Sequence, residues 1–249
     1  MNLIFWQTIY ILGGIFLLPF SPLLYLQGEY VRRKIGLLPD AQGAKRGISG
    51  TGRETAKMLV IGESTVAGLG ARTHENALAG QFAYFLSAKI GKRIEWLVIG
   101  KNGVTAQKTI ELLVPQIPSS EKFDYVMLGV GGNDVLKLSS PRKWRRDALK
   151  LIEIIREKFP DAVFFMTNAP AVHLSPVLPQ PIKFILGNLS ALHDKNSREF
   201  LPKIKNVYYF HRPDEITEGF FADGIHPSEQ GYTDWSKRMI EFFTEKYGF

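Results

Sequence analysis

"MLVIGESTVAGLG", residues 58–70, passes from an apolar run through Gly62 into a Glu-Ser pair and then into small residues. A short apolar run ending in glycine reads as a buried strand, and the residues after it as a turn at the strand's carboxyl end. Ser64 falls in that turn. A serine there is either the cap of a following helix or a nucleophile presented at a sheet edge.

The same kind of run recurs as "IEWLVIG" (94–100), "DYVMLGV" (124–130), "AVFFMTN" (162–168) and "NVYYF" (206–210). Between and after these runs, residues 76–90, 104–116, 142–159, 183–200 and 228–247 carry apolar residues at helical spacing. Strands alternating with helices call for right-handed crossovers and a parallel sheet covered on both faces. The expectation is a three-layer α/β/α sandwich with a five-stranded parallel sheet.

The chain has 249 residues, 45% of them apolar, which is ample for a packed core and excludes disorder of the whole chain. The net charge of +7 favours anionic surfaces. A membrane is the expected surface, because zinc-finger spacing, RNP-like aromatic motifs and long Lys/Arg blocks are all missing; nucleic acid is not an expected partner. With no cysteine in the chain, disulfides, thiolate metal sites and a cysteine nucleophile are excluded.

Residues 3–26 contain no charged side chain. As a helix they would extend roughly 36 Å, enough to cross a hydrocarbon layer of about 30 Å. Pro19 and Pro22 can bend or stop that helix. No small-x-small cleavage site follows, so residues 1–34 read as a retained membrane anchor with a basic flank at Arg32, Arg33 and Lys34. The positive-inside rule then puts the following domain on the cytoplasmic side. Residues 35–56, rich in glycine and polar groups, read as a linker, and residues 57–249 as the folded domain.

In an open parallel sheet, functional groups gather beyond the carboxyl ends of the strands. The first three exits carry Gly62-Glu63-Ser64, Asn102-Gly103 and Gly131-Gly132-Asn133-Asp134. A serine hydroxyl needs a base, usually a histidine held in one tautomer by an acceptor. Of the five histidines, only His226 has an acid three positions earlier in a turn-rich stretch, Asp223 in "ADGIHPSEQGY". Acyl transfer also needs donors aimed at the developing oxyanion. The N–H groups of Ser64 and Gly103 and the side-chain amide of Asn133 are the candidates.

These blocks, "GES" at 62–64, Gly103 in "KNGVT", "GGND" at 131–134 and "DGIHP" at 223–227, resemble those of the SGNH (GDSL-like) hydrolase family, in the family's order. The resemblance implies a flavodoxin-like sheet, a Ser64–His226–Asp223 triad, an oxyanion hole from Ser64, Gly103 and Asn133, and no metal or other cofactor. The family's usual Gly-Asp-Ser here reads Gly-Glu-Ser. Charge is kept at Glu63 with one methylene added, which bears on the hydrogen bonds that shape the turn. Asp134 is expected to be structural support.

The proline-rich, apolar stretch "APAVHLSPVLPQPIKFILG" (169–187) follows the fourth strand on the same edge. It is expected to form a loop or lid, with Val177 and Leu178 lining an acyl pocket. The function expected is a serine esterase or lipase-like acyl hydrolase working on lipid or other acyl esters near a membrane. An acyltransferase using the same triad and a catalytically silent membrane-tethered binding module are the alternatives. The oligomeric state is not legible.

Overall fold

The computed structural model describes residues 3–36, 38–211 and 213–248. Its elements are α1 (Leu3–Leu17), α2 (Ser21–Ile35), β1 (Arg46–Ser49), β2 (Thr55–Gly62), α3 (Leu78–Ile90), β3 (Arg93–Gly100), α4 (Ala106–Leu112), β4 (Tyr125–Gly129), α5 (Gly132–Leu136), α6 (Pro141–Lys158), β5 (Val163–Met166), α7 (Ile182–Phe200), β6 (Val207–Tyr209) and α8 (Glu229–Tyr247). The strands form one sheet in the order β1-β3-β2-β4-β5-β6.

The α/β fold is the one expected, with one correction: the sheet has six strands, not five. The five apolar runs are the parallel strands, and β1 adds an antiparallel edge against β3. It lies inside the stretch expected as linker. Only Ile48 in "RGIS" has the apolar character that marks a strand, so pairing with β3 rather than local propensity makes it one.

Side-chain alternation along the parallel strands builds two cores. Leu59 and Ile61 of β2, Leu97 and Ile99 of β3, Val126 and Leu128 of β4, and Phe164 and Met166 of β5 face one layer. There they meet Trp144, Leu151 and Ile155 of α6. Met58 and Val60, Trp96 and Val98, Met127 and Phe165 point the other way, onto Phe82 and Leu86 of α3 and Met239 and Phe243 of α8. A sheet buried on both faces explains why these strands read as nearly continuous apolar runs.

α1 and α2, joined by a single 3-10 turn at Leu18–Phe20, form an apolar helical segment, Leu3–Lys34, long enough to cross a membrane by length and composition. One stripe of it touches the rest of the fold. Trp6 and Val31 are buried with Val135, Val172, Leu178, Leu186, Leu189 and Leu192 in a third, smaller cluster. The Trp6 indole N–H donates to Glu199 (3.1 Å), and Tyr10 donates to the Leu138 carbonyl (2.6 Å). Gln27 donates to the Gln180 carbonyl (2.8 Å) and accepts the Ile182 N–H (3.3 Å). The opposite face, including Ile4, Leu12, Ile15, Phe16 and Leu26, is exposed.

Candidate active site

β2 ends where the Glu63 N–H donates to the Gly129 carbonyl (2.8 Å), and the Val66 and Ala67 N–H groups both return to the Glu63 carbonyl (3.0 Å each). This tight turn holds Ser64 at the sheet's carboxyl edge. The next helix, α3, starts only at Leu78, so Ser64 caps no helix.

His226 reaches the same place from the loop between β6 and α8. One oxygen of Asp223 accepts the backbone N–H groups of Ile225 (2.8 Å) and His226 (2.7 Å), and the other lies 2.8 Å from His226 Nδ1. Gly224 makes this turn with φ +88, and a Cβ there would lie 2.5 Å from Val177 Cγ1. Only glycine suits both the left-handed backbone and the contact. Ser228 then caps α8 by accepting the Gly231 N–H (3.1 Å), which fixes the end of the loop just after the histidine.

His226 Nε2 stands 3.1 Å from Ser64 Oγ across 162 residues of sequence. With Nδ1–H donated to Asp223, Nε2 is left to accept the serine proton. Burial works against charge on Asp223. The hydrogen bonds from the His226 ring and from the His226 and Ile225 backbones outweigh it and hold this carboxyl below its ordinary pKa. The arrangement can activate an alcohol nucleophile and keep an imidazolium stabilised.

Glu63 plays a part that the sequence reading left open. Its buried carboxylate accepts the N–H groups of Gly132 (2.7 Å) and Asn133 (2.8 Å) and the side-chain amide of Asn133 (2.8 Å). The longer side chain thus spans from the β2 exit to the β4 exit and orients the Asn133 amide, one of whose two N–H bonds stays available. Burial pushes the Glu63 pKa up to about 7, against the pull of those three donors and with the added push of nearby Asp134.

Asp134 accepts the Ala106 N–H (2.9 Å) and the Ser139 hydroxyl (3.3 Å), tying the β4 exit to the start of α4. Gly103 lies in the loop before α4 with φ +80, and its carbonyl accepts a hydrogen bond from Lys137 Nζ (2.6 Å). Neither Lys137 nor the reach of Glu63 was foreseen. A lysine three residues past the "GGND" block, with no periodic role, was the only signal for the first; a carboxylate next to Ser64 was the signal for the second.

The 169–181 loop packs against the histidine turn on one side and the N-terminal helices on the other. Ser175 donates to the Gly224 carbonyl (2.7 Å), and Val177 lies against Gly224. Leu178, expected beside Val177 in an acyl pocket, is instead buried in the cluster with Trp6 and Val31. The loop bends at residues 176–177, and the two neighbours face different partners, Val177 the histidine turn and Leu178 the N-terminal helices.

Sequence comparison places the GDSL-like lipase/acylhydrolase family profile on residues 60–233. Among solved structures, the lipase Lip_vut3 from a goat rumen metagenome superposes with a TM-score of 0.59 and 14% identity, covering 75% of this chain and 96% of its own. The Clostridium thermocellum family 3 carbohydrate esterase gives a TM-score of 0.52 and 20% identity, covering 78% and 97%. The psychrotrophic esterase EstA from Pseudoalteromonas sp. gives 0.54 and 13%, covering 77% and 98%. At such identities the likeness speaks for the fold. No curated protein gives a significant sequence match.

Proposed function

The chain belongs to the GDSL-like lipase/acylhydrolase family and is a carboxylic ester hydrolase, and we propose that Ser64 is its nucleophile, His226 its general base and acid, and Asp223 the group that orients His226. The observation that carries this reading is the continuous line of hydrogen bonds from Ser64 Oγ through His226 to Asp223, at 3.1 and 2.8 Å.

The Ser64 oxygen attacks the ester carbonyl carbon as its proton passes to His226 Nε2. The N–H groups of Ser64 and Gly103 and the Asn133 amide receive the negative oxygen. The carbon–oxygen bond to the leaving alcohol breaks as His226 returns the proton to that alcohol, leaving an acyl-enzyme. Water, deprotonated by His226, then releases the acid and restores Ser64.

The N-terminal helices support an ester in or near a lipid layer. Contacts near residues 6–10 and 27–31 both run to the same folded domain, so in this arrangement the two ends cannot lie on opposite sides of a hydrocarbon layer about 30 Å thick. The helices lie along the membrane surface with their exposed apolar face in lipid. Arg32, Arg33 and Lys34 at the end of α2 add attraction to an anionic lipid surface, and the cytoplasmic side expected from the positive-inside rule does not follow for helices that do not span.

Detergent-solubilised full-length protein, given esters of varied acyl length with and without added glycerol, tests the reading. Release of free acid without acylated glycerol is the expected result. Acylated glycerol as the main product would make the protein a transferase, and no cleavage of any ester would remove the hydrolytic role from this site.

A further inference from the structure

Between α1, the turn after α5 and the start of α6 lies a cleft of about 470 Å³, within the size range of small-ligand sites. Its walls carry Lys108, Lys137 and Lys143 together with Tyr10, Ser139 and Ser140, whose hydroxyls are held by bonds within the fold. Carboxylates answer two of the three ammonium groups. Glu111 lies 2.5 Å from Lys108, and Asp147 lies 2.6 Å from Lys143 while also pairing with Arg146. Among the described residues, Lys137 has no carboxylate partner, and its only fixed acceptor is the Gly103 carbonyl. The cleft therefore keeps a surplus of positive charge.

Its position links two parts of the molecule. Lys137 sits one helical turn past Asn133, with its N–H on the Asn133 carbonyl (2.9 Å), and it touches the Gly103 loop. Lys137 thus joins the cleft to the loop that carries Gly103. The opposite wall belongs to α1. Tyr10 of that helix bonds the Leu138 carbonyl, Gln7 accepts the Arg142 N–H (3.1 Å), and Ile9, Ile11 and Leu12 beside them are exposed. One cationic cleft thus lies beside an apolar helix surface and connects, through Lys137, to the Gly103 loop.

We propose that this cleft receives the phosphate group of an anionic acyl ester whose carbonyl lies at Ser64, which makes phosphate-bearing single-chain lipid esters the preferred substrates. The inference rests on Ser64 being the nucleophile. Lysine ammonium groups suit a phosphate because each is a mobile point charge with three donors, and a phosphate offers several acceptor oxygens at once. The unpaired Lys137 is the main contact, since binding there breaks no ion pair.

The test compares two esters with the same acyl chain, 1-oleoyl-glycerol-3-phosphate and 1-oleoylglycerol, in neutral detergent micelles with the full-length protein. The quantity read is the ratio of their kcat/KM values, in which a general loss of folding or activity cancels. The ratio should exceed about tenfold in favour of the phosphate ester and fall about tenfold in Lys137→Met, while Lys137→Arg retains most of it. Inorganic phosphate should compete with the phosphate ester and leave the neutral ester untouched; equal inhibition of both would mean a free-anion site unconnected with the substrate and would overturn the proposal. Micelles doped with a non-hydrolysable anionic ether lipid separate out simple attraction to a charged surface. If doping raises neutral-ester cleavage to the same level and Lys137→Met leaves the ratio unchanged, the cleft is not the recognition element. A ratio near one with both esters cleaved would sink the cleft and leave the esterase reading standing. Failure to cleave either would take both down.

Discussion

The candidate catalytic rim and the N-terminal helices are held to the fold by different means. At the rim, residues up to 162 positions apart meet through hydrogen bonds of 2.7–3.1 Å, and each comes from a turn whose own backbone is closed. The N-terminal helices meet the domain along one stripe of large side chains and a few glutamine, tyrosine and tryptophan hydrogen bonds, with an exposed apolar face up to Leu26 and a charged end at Arg32, Arg33 and Lys34. Loss of a rim residue should therefore cost chemistry with little stability, and loss of a stripe residue the reverse.

The sharpest break of that contrast would come at Ser64. Ser64→Ala should lower ester turnover by about 10⁴-fold or more while the urea unfolding midpoint stays put; substantial residual turnover would take the nucleophile's role from this residue. Next is Asn133→Ala, expected to lower kcat about 10²–10³-fold with KM little changed, as removal of one oxyanion donor does. An unaltered kcat would exclude its amide from the oxyanion hole.

A third test takes a rim residue whose titration is read in stability. The Glu63 carboxyl, raised from its unfolded value near 4.5 to about 7, binds its proton more tightly in the folded chain. Its contribution to stability is therefore complete below about pH 4.5 and is lost as the pH rises through about 7. Urea midpoints of the wild type measured relative to Glu63→Gln should fall across that window, and a flat difference would mean that Glu63 titrates normally. On the stripe, Leu178→Ala should cost about 2–4 kcal/mol in urea unfolding and change cleavage of a short, water-soluble ester least of all. A fall in that activity as large as that of Asn133→Ala would show that the helices and the rim are one functional unit.

The strands were legible because a sheet buried on both faces demands apolar residues at every position, so "MLVIG" and its counterparts stand out without any partner. β1 was not, since "RGIS" becomes a strand only against β3. The candidate site residues could be picked out because a base, its acceptor and the glycine between them must sit within one turn, as in "DGIH". The reach of Glu63 to two N–H groups some 70 residues away and the bond from Lys137 to Gly103 depend on how exits of different strands line up. No local pattern encodes that. The docking of the N-terminal helices was hidden for the same reason: a helix as apolar as α1 reads alike whether it crosses lipid or lies on a protein with one face.

In the proposed mechanism everything turns on His226 activating Ser64. The second-order rate of fluorophosphonate labelling, with the modified residue located by mass spectrometry, tests it directly in the wild type and in His226→Ala. Labelling confined to Ser64 and slowed at least about 10³-fold by the substitution is the predicted result. Equal labelling rates in the two proteins, or a label on a different residue, would contradict it.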